Sequence, residues 1–202
     1  MRKYFLLLIL FLIGVIWSVI NPHDYFTWIL EIFPAIIGLF ILLIIFRKYR
    51  FTYFTYFLIL THCYILFIGG HYTYAEVPLF DWLKEVLHFS RNNYDKVGHF
   101  AQGFVPAIIT REIFIRQEII KGGKWVSFLT ICVCMTISVL YEFLEWLVAI
   151  LTGVSADSFL GTQGYIWDTQ SDMLFALIGS VSMILFFSRI HDKQIGKLKT
   201  VV

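Results

Sequence analysis

Charge is scarce in this chain of 202 residues: Asp, Glu, Lys and Arg make up 15% of it. A soluble domain carries about 25%. Proline is rare, with four residues, and the three cysteines, Cys63, Cys132 and Cys134, all fall within apolar runs. Cys132 and Cys134 are two apart, so on a helix they point away from each other. That excludes a disulfide framework and a CxxC metal site, and leaves the cysteines as small apolar fillers. H-E-x-x-H, G-x-S-x-G and P-loop motifs are missing, which removes the hydrolase and nucleotide-binding signatures they carry. No repeat, low-complexity stretch or linker divides the chain, and 1–202 reads as a single membrane domain.

Hydrophobic residues are abundant instead, at 59%, and they fall into six blocks: about 4–20, 26–46, 51–69, 97–114, 125–151 and 173–187. A helix needs roughly 17–25 such residues to cross the hydrocarbon. The expected fold is therefore all-α, a polytopic six-helix transmembrane bundle. The first block is longer than a signal-peptide core and ends in "WSVINPHDY" without a small-x-small cleavage site, so it reads as a retained helix.

Lysine and arginine orient the bundle, because cytoplasmic loops retain them. Six spans put Arg2 and Lys3, the Arg47–Arg50 loop, the stretch from Arg111 to Lys124, and the tail after Arg189 on one side. That side holds 13 of the 16 basic residues and leaves Lys84, Arg91 and Lys96 opposite. Both termini are expected in the cytoplasm. The basic residues are thus topology signals; membrane lipids are the expected partners, and nucleic acid is not. Outside, "VPLFDWLKEVLHF" has the apolar spacing of a short helix lying in the interface.

The residues that need explaining are acidic. In "SVLYEFLEWLVAI", Glu142 and Glu145 interrupt the fifth block. The fourth begins "YDKVGHFAQGF", with Asp95 at its boundary, His99 one turn deeper and Gln102 beyond. The sixth is preceded by "WDTQSDM", with Asp168 and Asp172 at i, i+4. The topology brings all of these to one layer in the outer half of the membrane. A charge at mid-bilayer costs about 2.5–3.5 kcal/mol on insertion scales, and grouped carboxylates repel each other. Protonation or a bound cation relieves both. An imidazole among carboxylates suits one divalent ion, with Zn²⁺, Mn²⁺ and Mg²⁺ all compatible.

The expected metal ligands are His99, Glu142 and Asp172, with Asp168 and Asp95 as further candidates. Glu145 is the candidate catalytic residue, as general base or as a hydrogen-bonding partner of the ligands. Asp95 and Asp168 serve equally well as helix N-terminal residues. His71 and Glu76 read as solvated loop residues, His62 as a helix-packing residue, and Glu31 as shallow enough to reach the headgroups. Arg111 and Glu112 read as interfacial charges. Gly161 and Gly164 in "FLGTQGY" suit a loop that approaches a headgroup closely.

The strings "GGHYTYAEVPL", "NNYDKVGHFAQGFVPA", "YEFLEW" and "FLGTQGYIWDTQSDM" together resemble the YjdF family of bacterial inner-membrane proteins. The resemblance runs from Asn21 to about Ser188. It implies a six-helix protein of the bacterial cytoplasmic membrane and no particular activity. A fainter likeness is to VanZ-like membrane proteins, which share D-K-x-x-H-F, E-x-x-Q and D-x-x-x-N-x-x-G. Asp95, Lys96, His99 and Phe100 match the first motif and Glu142 the second, with Glu145 in place of glutamine. Asp172 and Gly179 match the third, with Ala176 in place of asparagine. Three classes of function fit these features: a metal-dependent enzyme acting on a lipid or lipid-linked group, a proton- or ion-coupled transporter, and a non-catalytic component that binds an ion or headgroup.

Overall fold

The computed structural model of the protein describes residues 2–152 and 162–199, and the described residues are helical, with no strand. Gly161 lies outside them. The helices are α1 (Arg2–Val19), α2 (Tyr25–Ile45), α3 (Tyr53–Tyr72), α4 (Pro78–Leu87), α5 (Tyr94–Arg116), α6 (Gly123–Thr152), α7 (Asp168–Ser182) and α8 (Ser188–Lys199). A 3₁₀ turn, Tyr74–Glu76, precedes α4, and a π turn, Met183–Phe187, joins α7 to α8. A helix lies over each of the six apolar blocks.

Local chemistry sets several boundaries. The Asp24 carboxylate accepts the Thr27 amide at 2.6 Å and starts α2, and Thr52 caps α3 by accepting the Thr55 amide at 3.2 Å. Pro78 opens α4, where its missing N–H costs nothing. The same helix ends on His88 in the left-handed region, with the Phe89 amide closing on the Lys84 carbonyl at 2.9 Å. No residue of α4 is buried, and Leu79, Trp82, Val86 and Leu87 are all exposed, as an interfacial helix requires.

Five stretches are long and apolar enough to cross a membrane: α1, α2, α3, α6, and α7 running on through α8. Their outer faces expose large apolar residues such as Ile44, Leu151 and Phe186. That is expected where the solvent is lipid. Helix α5 is also long enough, at 23 residues or about 34 Å, but carries Asp95, Lys96, Arg111, Glu112 and Arg116. It tolerates them because it packs against α3, α6 and α7 at once and needs little lipid-facing surface.

The contact between α5 and α7 is the most extensive in the bundle, and glycine makes it. A Cβ on Gly103 would collide with the Ala176 carbonyl, and one on Gly179 with the Phe100 carbonyl. Backbone against backbone is the packing expected of small residues in lipid. It fixes the face of α5 bearing Asp95 and His99 opposite Asp168 and Asp172.

Candidate metal and acid–base site

At the end of the α5–α7 contact where both helices begin, Asp95, His99 and Asp172 converge. Each offers an atom within 4.8 Å of the others, and no other described group of three His, Cys, Asp or Glu residues does so. His99 Nε2 lies 3.1 Å from Asp95 Oδ1 and 3.8 Å from Asp172 Oδ1. Its other nitrogen, Nδ1, is 3.1 Å from Gln102 Oε1. With its proton on Nδ1 the ring donates to that amide oxygen and leaves the Nε2 lone pair toward two carboxylate oxygens. In that tautomer a second ring proton or a metal ion would bridge Nε2 to the carboxylates, beside the Lys96 ammonium that already reaches both aspartates. Holding the far nitrogen of a ligating histidine by a hydrogen bond is the usual way to orient it.

Helix α6 completes the wall. Glu142 Oε1 lies 4.0 Å from His99 Nδ1, buried and without a hydrogen-bond partner. Glu142 therefore faces the opposite ring nitrogen from the two aspartates. Glu145, one turn on, is partly buried and close enough to His99 for their charges to interact. The Glu142 row continues down α6 at intervals of four through Ser138, Cys134 and Thr130, all fully buried. Ser138 Oγ and Thr130 Oγ1 also lack partners.

Sequence reasoning missed the cations of this site. Lys96 Nζ donates to Asp172 Oδ1 at 2.5 Å, to Asp168 Oδ1 at 2.9 Å and to Asp95 Oδ2 at 3.2 Å. Arg91 donates through Nη1 to Asp168 and through Nη2 to Asp95 Oδ2, the latter at 3.4 Å. Both are under a tenth exposed. Asp168 thus answers Arg91 and Lys96 rather than His99. The sequence signal is that Arg91 is one turn from Asp95 and Lys96 is its neighbour within the D-K-x-x-H-F string.

The loops brace this arrangement. The fully buried Asn92 donates to the Val77 carbonyl and to Asp81, at 3.1 and 3.0 Å. Gln163 clasps the Asn92 backbone on both sides, accepting its N–H at 3.0 Å and donating to its carbonyl at 2.9 Å. Tyr165 from the same loop lies beneath the Arg91 guanidinium and the Lys96 ammonium. The neighbouring Gly164 has φ +80, a turn conformation that glycine adopts without strain.

Several other expectations are corrected. Glu31 is 3% exposed and packed inside the bundle: Tyr74 hydrogen-bonds to it, and its charge interacts with Asp95 and His99. The Tyr74 ring is itself wedged between Gly69 and Gly98, where a Cβ would strike it. His71 lies within α3 and is half-buried, not in a loop, whereas Glu76 is exposed as expected. His71 Nδ1 lies 3.2 Å from the Ser18 carbonyl, and Glu76 lies 3.1 Å from His23 Nε2. Arg111 and Glu112 are buried, at 8% and 0% exposed.

Arg111 and Glu112 belong to a second polar network at the opposite end of α5. Glu112 accepts from the Thr52 amide, the Thr55 hydroxyl, Arg116 and His191 at 2.8, 2.6, 2.8 and 3.0 Å. Arg111 lies 3.3 Å from His191 Nδ1 and donates to Asp192 at 2.7 Å. A guanidinium only donates, so Nδ1 accepts and the His191 proton resides on Nε2, toward Glu112.

The family model described as "Predicted membrane protein (DUF2238)" matches residues 3–193. The chain is 48% identical over 182 residues to the "Inner membrane protein YjdF" of Escherichia coli (strain K12), covering 90% of this chain and 87% of that one. No solved structure matches. With its apolar helices and this likeness along nearly its whole length, the chain belongs to the DUF2238 family of membrane proteins.

Proposed function

We propose that the chain is a divalent-metal-dependent membrane enzyme that acts on a lipid or lipid-linked group. Asp95, His99 and Asp172 hold the ion. The carrying observation is the His99 ring, whose Nε2 faces Asp95 and Asp172 while Nδ1 is taken up by Gln102. A divalent ion held there would supply polarisation of a phosphoryl or carbonyl oxygen or a lowered pKa of water, and Glu142 or Glu145 would accept the proton. Topology, with 13 of 16 basic residues on the far side, directs the site outward and both termini into the cytoplasm.

A lateral cavity of about 670 Å³ supports a lipidic substrate. Its lining combines the apolar Phe89, Phe100 and Phe175 with Arg91, Lys96 and Tyr165.

The test is metal content by mass spectrometry on detergent-purified protein, comparing wild type with Glu142→Gln and His99→Ala. Near-stoichiometric metal in the wild type, lost in folded His99→Ala, supports the reading. No metal after incubation with zinc, manganese and magnesium sinks it.

One observation favours a second reading, proton-coupled transport. The unpartnered atoms Glu142 Oε1, Ser138 Oγ and Thr130 Oγ1 line one buried face of α6, antiparallel to α5, and lead from His99 toward the level of Arg111. Cys134, between them, packs against Ala107 and Ile108. Proton uptake in proteoliposomes, abolished by Ser138→Val, would select transport over the enzyme.

A further inference from the structure

Helices α1 and α2 both pack on α3 and leave a gap between them. At Gly14 a Cβ would stand 2.6 Å from the Phe67 ring. There Phe11 meets Phe67 edge to face at 5.2 Å, and the Tyr64 hydroxyl donates to the Leu10 carbonyl at 2.8 Å. Toward its start α1 stays in contact with α3, with Tyr4 edge to face on Tyr53 and Tyr56, but α1 and α2 barely touch each other and leave a groove of about 520 Å³ between them over α3. Phe5, Leu8, Phe11, Leu39, Leu43 and Leu60 make its walls almost wholly apolar.

The groove follows α1 from Arg2 to Phe11, nine residues or about 14 Å. The hydrocarbon of a bilayer is about 30 Å thick, so the groove is one leaflet deep. A partner helix would want a seam running the full thickness, whereas an acyl chain of that leaflet ends where this groove closes.

Three cations stand at its open end. Lys3 Nζ lies 5.0 Å over the Tyr53 ring and 5.5 Å over Tyr4. The Arg50 guanidinium lies 4.8 Å over Phe46 and 5.6 Å over Tyr4. Arg2 lines the mouth. All three are exposed, and among the described residues none is paired with a carboxylate. Aromatic faces position the two over the rings without neutralising them. Lys96, by contrast, gives its ammonium to three aspartates and has none to spare.

We propose that this groove is a binding site for an anionic phospholipid, with an acyl chain along α1 and the phosphate among Arg2, Lys3 and Arg50. The site lies at the membrane face opposite the acidic cluster and does not depend on the activity proposed for that cluster.

The experiment is lipid retention. Detergent-purified protein is incubated with phosphatidylglycerol or phosphatidylcholine of identical chains and washed, and the extracted lipid is quantified by mass spectrometry. About tenfold greater retention of phosphatidylglycerol is expected, as juxtamembrane cations favour anionic lipid. Arg2→Gln/Lys3→Gln/Arg50→Gln should equalise the two lipids. Leu8→Trp, which fills the groove and keeps the cations, should lower retention of both. Equal retention by the wild type overturns the proposal, as does a preference that survives the triple substitution. So does a groove-filled variant that binds as before, or a self-crosslink through Leu8→Cys showing a second copy seated there. Should the triple variant fail to fold, the wild type is washed at about 1 M salt, where charges are screened beyond roughly 3 Å. A preference that persists there overturns the proposal, and one that collapses upholds it.

Discussion

Lys96 on α5 and Asp172 on α7 meet at 2.5 Å, both almost fully buried, on the helix pair that also touches backbone to backbone at Gly103 and Gly179. The pair compensates two charges that lipid would reject, and it depends on glycine packing one to two turns deeper. Fold and site are therefore one construction here.

Lys96→Met leaves Asp95, Asp168 and Asp172 short of their shared ammonium. Breaking a buried pair by removing one partner costs about 3–5 kcal/mol, and a marked fall in thermal stability in detergent is expected. Lys96→Met/Asp172→Asn should recover part of it, because one orphaned charge is gone. A double variant whose loss is the sum of the losses of Lys96→Met and Asp172→Asn would show that the two residues act independently.

Gly103→Val drives a branched side chain into the Ala176 carbonyl. Size-exclusion profiles should show loss of the monodisperse peak, whereas Gly38→Val, where a Cβ meets nothing within 4 Å, should behave as wild type. The comparison separates a packing requirement from a general intolerance of change.

Glu112→Gln replaces an acceptor that serves four donor residues with an amide that must turn its own N–H₂ toward one of them. A loss of about 1–3 kcal/mol is expected, read from unfolding midpoints, and His191→Phe should add little to it. Additive losses would place His191 outside the network.

Asp24 supplies a pH dependence outside the spans. The Thr27 amide bonded to its carboxylate holds its pKa below the ordinary 3.8. The folded value is depressed, so the stabilisation is complete above the ordinary carboxylate range and disappears as pH falls through the folded value. Asp24→Ala should cost about 1 kcal/mol at neutral pH, and the difference from wild type should shrink below about pH 4. A difference that stays constant with pH would exclude the cap.

The apolar blocks were legible because lipid imposes a length and a composition, and His99, Asp95, Glu142 and Asp172 stood out against them. Lys96 and Arg91 were not, because a basic residue near a helix end has two uses, orientation and charge compensation, and sequence shows only the first. Glu31 was obscured by its apparent depth: what buries it is Tyr74, delivered by a 3₁₀ turn more than 40 positions later. His191 lies in the polar stretch after the last apolar block, and its burial depends on how the π turn aims α8, which periodicity does not reveal.

That turn has a mechanical consequence. Helices α7 and α8 continue through it as a 31-residue span, Asp168–Leu198, about 46 Å long. The hydrocarbon measures about 30 Å, so the rod overshoots even at a steep tilt and its last turns stand in the headgroup region or beyond. A push on the membrane-edge tail would travel along this one strut to the aspartates at its other end, and the widened turn is where such a strut bends first.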